Sequence, residues 1–395
     1  MGKGALGLLS AYWPEDTARY AHTPLKPLND LVLHPAAKQG AERRAIVCGA
    51  QAITYGELSS RSRVIGAHLR GRLAKGARVA IAAADAGELT AALFGAFEAE
   101  KLAWVAPATP PAVDLLRAFS PELVIGDAGD SGLASVSLSD LLGAEPPADA
   151  AKVRPDYKTP VIAHAKPGGG GEVLHNQKTL AAMAIAIGSF YMMDAETTVV
   201  LYEPPSGWLS LALLLGTIYK GGCVYAAWER DAARLPERVD YVVAGWDEAV
   251  RRFLGAPAGE RGPRIGAGAI VGVEEAFSLS RRRRLTRRFG APVLTLLGRN
   301  DLGPVMGSHP SWFLDDAMGI PLPNVDTRPM NPKDGTPLNI GWDAVEVAEL
   351  GVKSAFTPAG GTAVDGWCRS ELLASVDPTG LYFLERAREH IKRVR

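Results

Sequence analysis

Two short stretches of this sequence hold side chains in an order that chemistry could use. In Ala163-His164-Ala165-Lys166-Pro167-Gly168-Gly169-Gly170-Gly171-Glu172, four glycines lie between an apolar run and an Ala/Leu/Met segment with helical spacing. A glycine-rich loop lets backbone N–H groups converge on phosphate oxygens, and hydroxyls or a lysine then add charge-assisted bonds. Here Lys166 is the one lysine or arginine, Glu172 carries the opposite charge, and no hydroxyl is present. Taken without their flanks, the four glycines read equally as a flexible turn. In the second stretch, Leu297-Gly298-Arg299-Asn300-Asp301-Leu302-Gly303-Pro304, Asp301 offers oxygen ligands to a hard cation such as Mg2+. The alternative is a polar turn at a strand end.

Other chemistries find little support. His22, His34, His68, His164, His175, His309 and His390 are scattered, with no H-E-x-x-H and no Cys/His spacing for zinc. Ser308-His309 follows Gly307 without a G-x-S-x-G elbow. No G-x-x-x-x-G-K-[ST] occurs, and Gly168 to Gly171 lacks the intervening positions of a G-x-G-x-x-G fingerprint.

Lys+Arg and Asp+Glu both number 43, so no overall field draws the chain to nucleic acid or to an anionic membrane. The 395 residues are 47% hydrophobic and 22% charged, the balance of a folded globular chain rather than a disordered one. Cys48, Cys223 and Cys368 are far apart, form no C-x-x-C and are too few for a disulfide framework. With no signal-peptide pattern before Trp13-Pro14-Glu15-Asp16, a cytoplasmic location is expected. The longest apolar run, Trp208 to Tyr219, falls short of the roughly 20 residues that span a bilayer, so no membrane partner is expected.

The elements that must position these stretches follow from periodicity. Strand patterns at Arg78–Ala82, Leu102–Pro107 and Glu122–Gly126 alternate with helical spacing at Glu88–Glu98. A second series has strand candidates at Pro160–Ala163, Thr198–Glu203, Cys223–Ala227, Tyr241–Gly245, Ala269–Val273 and Pro292–Leu297. The solution for such alternation is an α/β architecture with two parallel-type sheets flanked by helices. Past Gly307 the segments are short and broken by Gly, Pro and Asp, which predicts a small β-barrel. The expected units are 1–157, a first α/β subdomain; 158–306, a second that holds the glycine-rich loop; 307–386, the barrel; and 387–395, a truncated hinge. Ala128 to Tyr157 reads as a surface connection. Arg281 to Arg284 with Arg287 and Arg288 read as a solvated helix face whose cations suit the helix C-terminus.

Several segments, in this order, resemble the adenylate-forming superfamily of acyl- and aryl-CoA synthetases, peptide-synthetase adenylation domains and luciferases. They are Thr54-Tyr55-Gly56-Glu57-Leu58, like "T-Y-x-E-L"; Gly76-Ala77-Arg78-Val79-Ala80-Ile81, like "G-D-R-V-A-I"; Gly319-Ile320-Pro321-Leu322-Pro323-Asn324, like "G-x-P-x-P-G"; and Asp365-Gly366-Trp367-Cys368-Arg369, like "D-G-W-F-R". The likeness spans nearly the whole chain and implies the fold of that family's large N-terminal domain.

The resemblance also assigns roles, residue by residue. The glycine-rich loop is similar to "[ST]-S-G-T-T-G-x-P-K-G". Ala163, His164, Lys166 and Pro167 then stand where hydroxyls would be, Gly171 where a lysine would be, and Gly168, Gly169 and Gly170 keep the glycine character. On this reading Glu172 repels phosphate, and Val173-Leu174-His175 opens the following helix. Leu297 to Asp301 is similar to "Y-G-x-T-E". That places Gly298 and Asn300 on the nucleotide side, Asp301 at the metal position, and Leu297 where a ring would lie beside adenine. Leu372 falls at the aspartate of "T-G-D", where it accepts no ribose hydrogen bond, and Glu371 beside it faces the other side of the strand. Arg386 is similar to the arginine that follows. Trp208, Leu297 and Met306 are the candidate acyl pocket. The chain ends about where the family's hinge leads into a mobile C-terminal domain, which supplies a lysine for adenylation.

The expected function is therefore that of an acid–CoA-ligase-like protein with adenylation impaired or lost, a binding or accessory module for an acyl or aryl carboxylate, a thioester or a partner protein. No cofactor is expected on this reading. The alternative is an active AMP-forming synthetase or ATP-independent acyl transferase with a remodelled site. It would use ATP, Mg2+ and CoA and take the missing lysine from a partner protein.

Overall fold

The computed structural model describes residues 13–108, 111–145, 156–167, 171–228, 235–254, 263–274, 277–340, 344–357, 363–384, 386–387 and 390–391. Two short helices, Leu28–Val32 and His34–Gln39, precede an antiparallel hairpin of strands β1 (Arg44–Cys48) and β2 (Gln51–Thr54). Thr54 then caps helix α1 (Tyr55–Arg72), because its Oγ1 accepts from Glu57 N at 3.2 Å while the Glu57 carboxylate accepts from Thr54 N at 2.8 Å. This reciprocal pair satisfies two of the N–H groups that a helix start leaves free. Asp85 caps helix α2 (Ala86–Glu98) by accepting from Glu88 N at 2.8 Å.

Strands β3 (Arg78–Ala82), β4 (Leu102–Val105), β5 (Leu123–Gly126), β6 (Ser135–Val136), β7 (Pro160–Ala165) and β8 (Glu172–Asn176) form one sheet in the order β6-β5-β3-β4-β7-β8. It is parallel except for the β7–β8 hairpin. Helix α3 (Gln177–Phe190) follows, then β9 (Thr198–Leu201), helix α4 (Trp208–Lys220), β10 (Cys223–Ala226), β11 (Arg238–Gly245) and β12 (Arg264–Val273). Helix α5 (Leu279–Phe289) leads to β13 (Val293–Arg299), β14 (Gly303–Gly307) and β15 (Ile320–Pro321). With β1 and β2 these strands build a second sheet, β15-β14-β13-β12-β11-β9-β10-β1-β2, whose run from β13 to β1 is parallel. Parallel strands buried on both faces need near-continuous apolar sequence, and Leu294, Leu296, Ile270, Val243, Val199 and Val224 are at most 1% exposed.

The remaining strands, β16 (Val325–Met330), β17 (Val345–Ser354), β18 (Ala363–Val364), β19 (Trp367–Val376) and β20 (Tyr382–Phe383), make a small antiparallel sheet, β16-β17-β19-β18 with β20 on β19. It is the curled sheet expected after Gly307. Among the described residues no helix is long and apolar enough to cross a membrane.

Several expectations need revision. The sheets exchange strands across residue 157, since β1 pairs with β10 while β7 and β8 complete the sheet of β3 to β6. They also exchange strands across 306, since β14 pairs with β15 inside the large sheet. Sequential reading misses the first because parallel strands are joined by crossovers, and the second because an antiparallel edge pairing lies past the expected boundary. Of 387–395, residues 388–389 and 392–395 lie outside the described residues. Val173-Leu174-His175 belongs to strand β8, not to a helix start. The helix begins at Gln177 because Asn176 and Thr179 form its capping pair. Ala128–Tyr157 is more than a connection, for it contains β6 and a helical turn at Leu138–Gly143. In the arginine cluster, Arg282 is 1% exposed rather than solvated. Its guanidinium donates to the Val293 carbonyl at 2.8 Å and lies 5.4 Å from the Phe313 ring centroid. Burial pushes its pKa down to about 10.

Candidate functional site

In the large sheet the chain runs from β9 outward through α4 to β10, then returns across β9 to β11 and continues to β12 and β13. The direction of growth reverses between β9 and β11. In open α/β sheets such a switch point opens a crevice at the carboxyl ends of the strands, and ligands bind there. A crevice of about 720 Å3 occupies this position, with Glu203 after β9, Gly245 at the end of β11 and Trp246 after it, Glu274 after β12 and Asn300 after β13 in its walls.

Trp208, the first residue of α4, is 3% exposed and forms one side of the crevice. Its indole Nε1 donates to the Glu274 carboxylate at 3.0 Å. Its ring covers Gly298 so closely that a Cβ there would stand 2.5 Å from the indole. Gly298, expected on the nucleotide side, is thus the seat of a tryptophan.

Gly207 gives α4 no side-chain cap. Asn300 supplies it from across the crevice, its Oδ1 accepting from Trp208 N at 2.9 Å. The amide of the same side chain donates to the Ala165 carbonyl at 3.0 Å, and the Asn300 carbonyl accepts from His175 Nε2 at 2.9 Å. Asn300 therefore ties α4, β7 and β8 to the end of β13. The bond from His175 goes to the backbone and survives truncation, so a change to alanine loses the two side-chain bonds and leaves the part-buried Trp208 N–H unpaired, at a cost of about 1–3 kcal/mol. The Asn300→Ala variant is expected to fall by that amount in urea unfolding. A midpoint and slope matching the parent would show that the strut carries no load.

His164 and His175 are 2% and 1% exposed, with ring centroids 5.8 Å apart in a T-shaped arrangement. His164 Nδ1 lies 3.0 Å from the Ser206 carbonyl. A carbonyl only accepts, so Nδ1 carries the proton and Nε2 is left as a buried lone pair with no hydrogen-bond partner in the protein. Burial, with His175 as the second cause, lowers the His164 pKa to about 3. Burial also lowers that of His175, against the opposing bond to Asn300. Both rings are neutral at pH 7.

The remaining expected residues are accounted for as follows. Asp301 is held by Arg299 in a bidentate pair, Nε to Oδ1 at 2.6 Å and Nη2 to Oδ2 at 2.8 Å, while Arg299 Nη1 donates to the Ser370 carbonyl at 2.9 Å. Among the described residues no group of three or more His, Cys, Asp and Glu is placed to hold a metal ion. Gly168, Gly169 and Gly170 lie outside the described residues. At the ends of that turn, Lys166 N donates to the Gly171 carbonyl at 2.9 Å, Lys166 is exposed, and Gly171 has φ +149°. Glu172 pairs with Arg78, whose guanidinium stacks 4.2 Å from the Phe119 ring centroid. The negative charge expected to repel phosphate is therefore already paired. Leu297 and Met306 face each other across β13 and β14 at 1% and 0% exposure, in the core and not in the crevice wall. Leu372 is buried, while Glu371 is exposed at φ +63° where the β17–β19 ladder slips. Arg386 pairs with Asp316 and covers Phe383 at 3.6 Å.

Sequence reasoning brought Trp208 and Asn300 to the crevice but missed Glu203, Glu248 and Glu274. The available signal was positional: Glu203 and Glu274 follow directly on apolar strands, where a buried run gives way to a carboxylate.

The two interleaved α/β sheets and the appended curled sheet are the fold of the large N-terminal domain of adenylate-forming acyl- and aryl-CoA synthetases. The sequence matches no family model and no curated protein. Among solved structures the chain is similar to O-succinylbenzoate coenzyme A synthetase (MenE) from Bacillus subtilis in complex with AMP, at 16% identity and TM-score 0.73 over 89% of this chain and 77% of that one. A benzoate CoA ligase from Burkholderia xenovorans gives 17% identity and TM-score 0.74 over 91% and 79%. The Klebsiella oxytoca NpsA N-terminal subdomain in complex with 3-hydroxyanthranilyl-AMSN gives 16% and 0.73 over 91% and 98%.

Proposed function

We propose that this chain is a non-adenylating relative of the acid–CoA ligases, a binding or accessory module for an acyl or aryl carboxylate, a thioester or a partner protein. The observation that carries the reading is the bidentate Arg299–Asp301 pair. Mg2+ bound at Asp301 would have to displace a half-buried guanidinium whose charge-assisted bonds are among the stronger kind. Three further features support it. Trp208 fills the space over Gly298, the Asn300 amide is consumed by α4 and β7, and Leu372 turns into the core of the small sheet. The residues present do not fit ATP and Mg2+ as they stand, and no step is assigned to either.

A panel of aliphatic and aromatic acids in ATP–pyrophosphate exchange, with and without an added C-terminal domain, is expected to give no signal above a protein-free blank. Thermal shifts with ATP and AMP are expected to be absent, and those with CoA and acyl-CoA test retained thioester binding. Exchange with any acid of the panel would establish the active-synthetase reading in its place.

A further inference from the structure

The crevice at the β9/β11 switch point has an unusual charge. Glu203, Asp247, Glu248 and Glu274 all line it, together with the indoles of Trp208 and Trp246, and no described lining residue is a lysine, arginine or histidine. The nearest cations sit outside and are engaged. Arg251 and Arg252 both pair with Glu248, and Arg252 also lies over the Tyr202 ring at 4.6 Å. Glu203, Asp247 and Glu274 make no ion pair among the described residues. Glu203 is half-buried, and burial pushes it above the ordinary carboxylate range, with Glu248 and Glu274 adding to that against a backbone bond from Gly245 and the charge of Arg251. A ligand carboxylate or phosphate entering here meets like charge, whereas a cation meets several carboxylates beside two tryptophans, a setting that attracts it.

Independently of charge, the crevice stands where the connectivity of the large parallel sheet reverses, and such sheets take small molecules at points of this kind. The volume of about 720 Å3 is that of a small-molecule site. We infer that this crevice binds an organic ammonium ion with an aromatic or alkyl body, the ammonium held by Glu203 and Glu274 and the body against Trp208. The inference rests on the proposed function only in taking the crevice as a retained binding site. It sharpens that reading, because an acid that enters must also carry an amine.

Phenethylamine and 3-phenylpropanoate are matched in body and opposite in charge, and isothermal titration of the full chain with each tests the inference at pH 7. Phenethylamine is expected to bind at least tenfold more tightly, and to weaken at least tenfold in Glu203→Gln, an isosteric change that keeps the Gly245 contact. Its affinity should fall as salt is raised. Preference for the carboxylate, no binding of either probe at millimolar concentration, or an unchanged phenethylamine affinity in a folded Glu203→Gln would each overturn the inference. Pyrophosphate exchange reports separately: a signal there would sink the non-adenylating reading and leave the charge preference to the titrations.

Discussion

Acidification from pH 6.5 toward 3 is expected to cost this protein several kcal/mol of stability through one side chain, His164. Its folded-state pKa of about 3 lies far below the ordinary value of 6.5 because the imidazolium would be desolvated beside His175. Above pH 6.5 neither the folded nor the unfolded chain binds this proton, and the group contributes no pH dependence. Below 6.5 the unfolded chain takes the proton and the folded chain does not, so stability falls with pH until the folded pKa is reached. At pH 4.5 the loss is about 3 kcal/mol, from about 1.4 kcal/mol per pH unit, and His175, lowered in the same direction, adds to it. Carboxylates also titrate in this window, so the readout is a difference between variants. His164→Asn keeps a donor for the Ser206 carbonyl and removes the titration. Urea midpoints at pH 7.0, 5.5 and 4.5 should fall more steeply for the parent than for the variant, and parallel curves would show that His164 is protonated without penalty.

That histidine also marks where the sequence was legible and where it was not. The apolar runs Arg78–Ala82, Leu102–Pro107 and Pro292–Leu297 read as strands because burial on both faces leaves a continuous signature in the chain itself. What the sequence withholds is pairing across distance. Arg299 and Asp301 are two residues apart, and their spacing alone does not say that one closes on the other. Glu172 meets Arg78 from 94 residues away, and Asn300 caps a helix that begins at Trp208. The partners of the residues expected to handle a nucleotide come from tertiary placement. The carboxylates of the crevice were missed because each is unremarked singly and only the reversal of strand order gathers them.

Gly319→Ala is expected to be the most damaging single-methyl change among the described glycines. Gly319 sits at φ +92°, and a Cβ there would lie 1.8 Å from the Gly307 carbonyl oxygen and 2.1 Å from its carbon. Those are backbone atoms of β14, so no rotamer change relieves the contact. The chain must separate β14 from β15, whose pairing is Gly307 with Ile320 and Met306 with Pro321. The neighbouring bonds Met318 N to Tyr382 O at 2.9 Å and Leu322 N to Val305 O at 3.0 Å join the same segment to both the small sheet and the large one. A loss of about 4 kcal/mol or more is expected, the size reserved for steric failure at a fixed backbone position. Gly132→Ala provides the control, since Gly132 has φ +71° with nothing within 4 Å of a Cβ; it should cost only the left-handed strain of about 1–2 kcal/mol. Equal urea midpoints for the two variants would refute the clash. The contrast bears on the fold as a whole. Gly319 is glycine because two backbones approach there, a demand set by strand placement and not by any ligand. Contacts of that kind let the architecture match at TM-score 0.73 a chain only 16% identical.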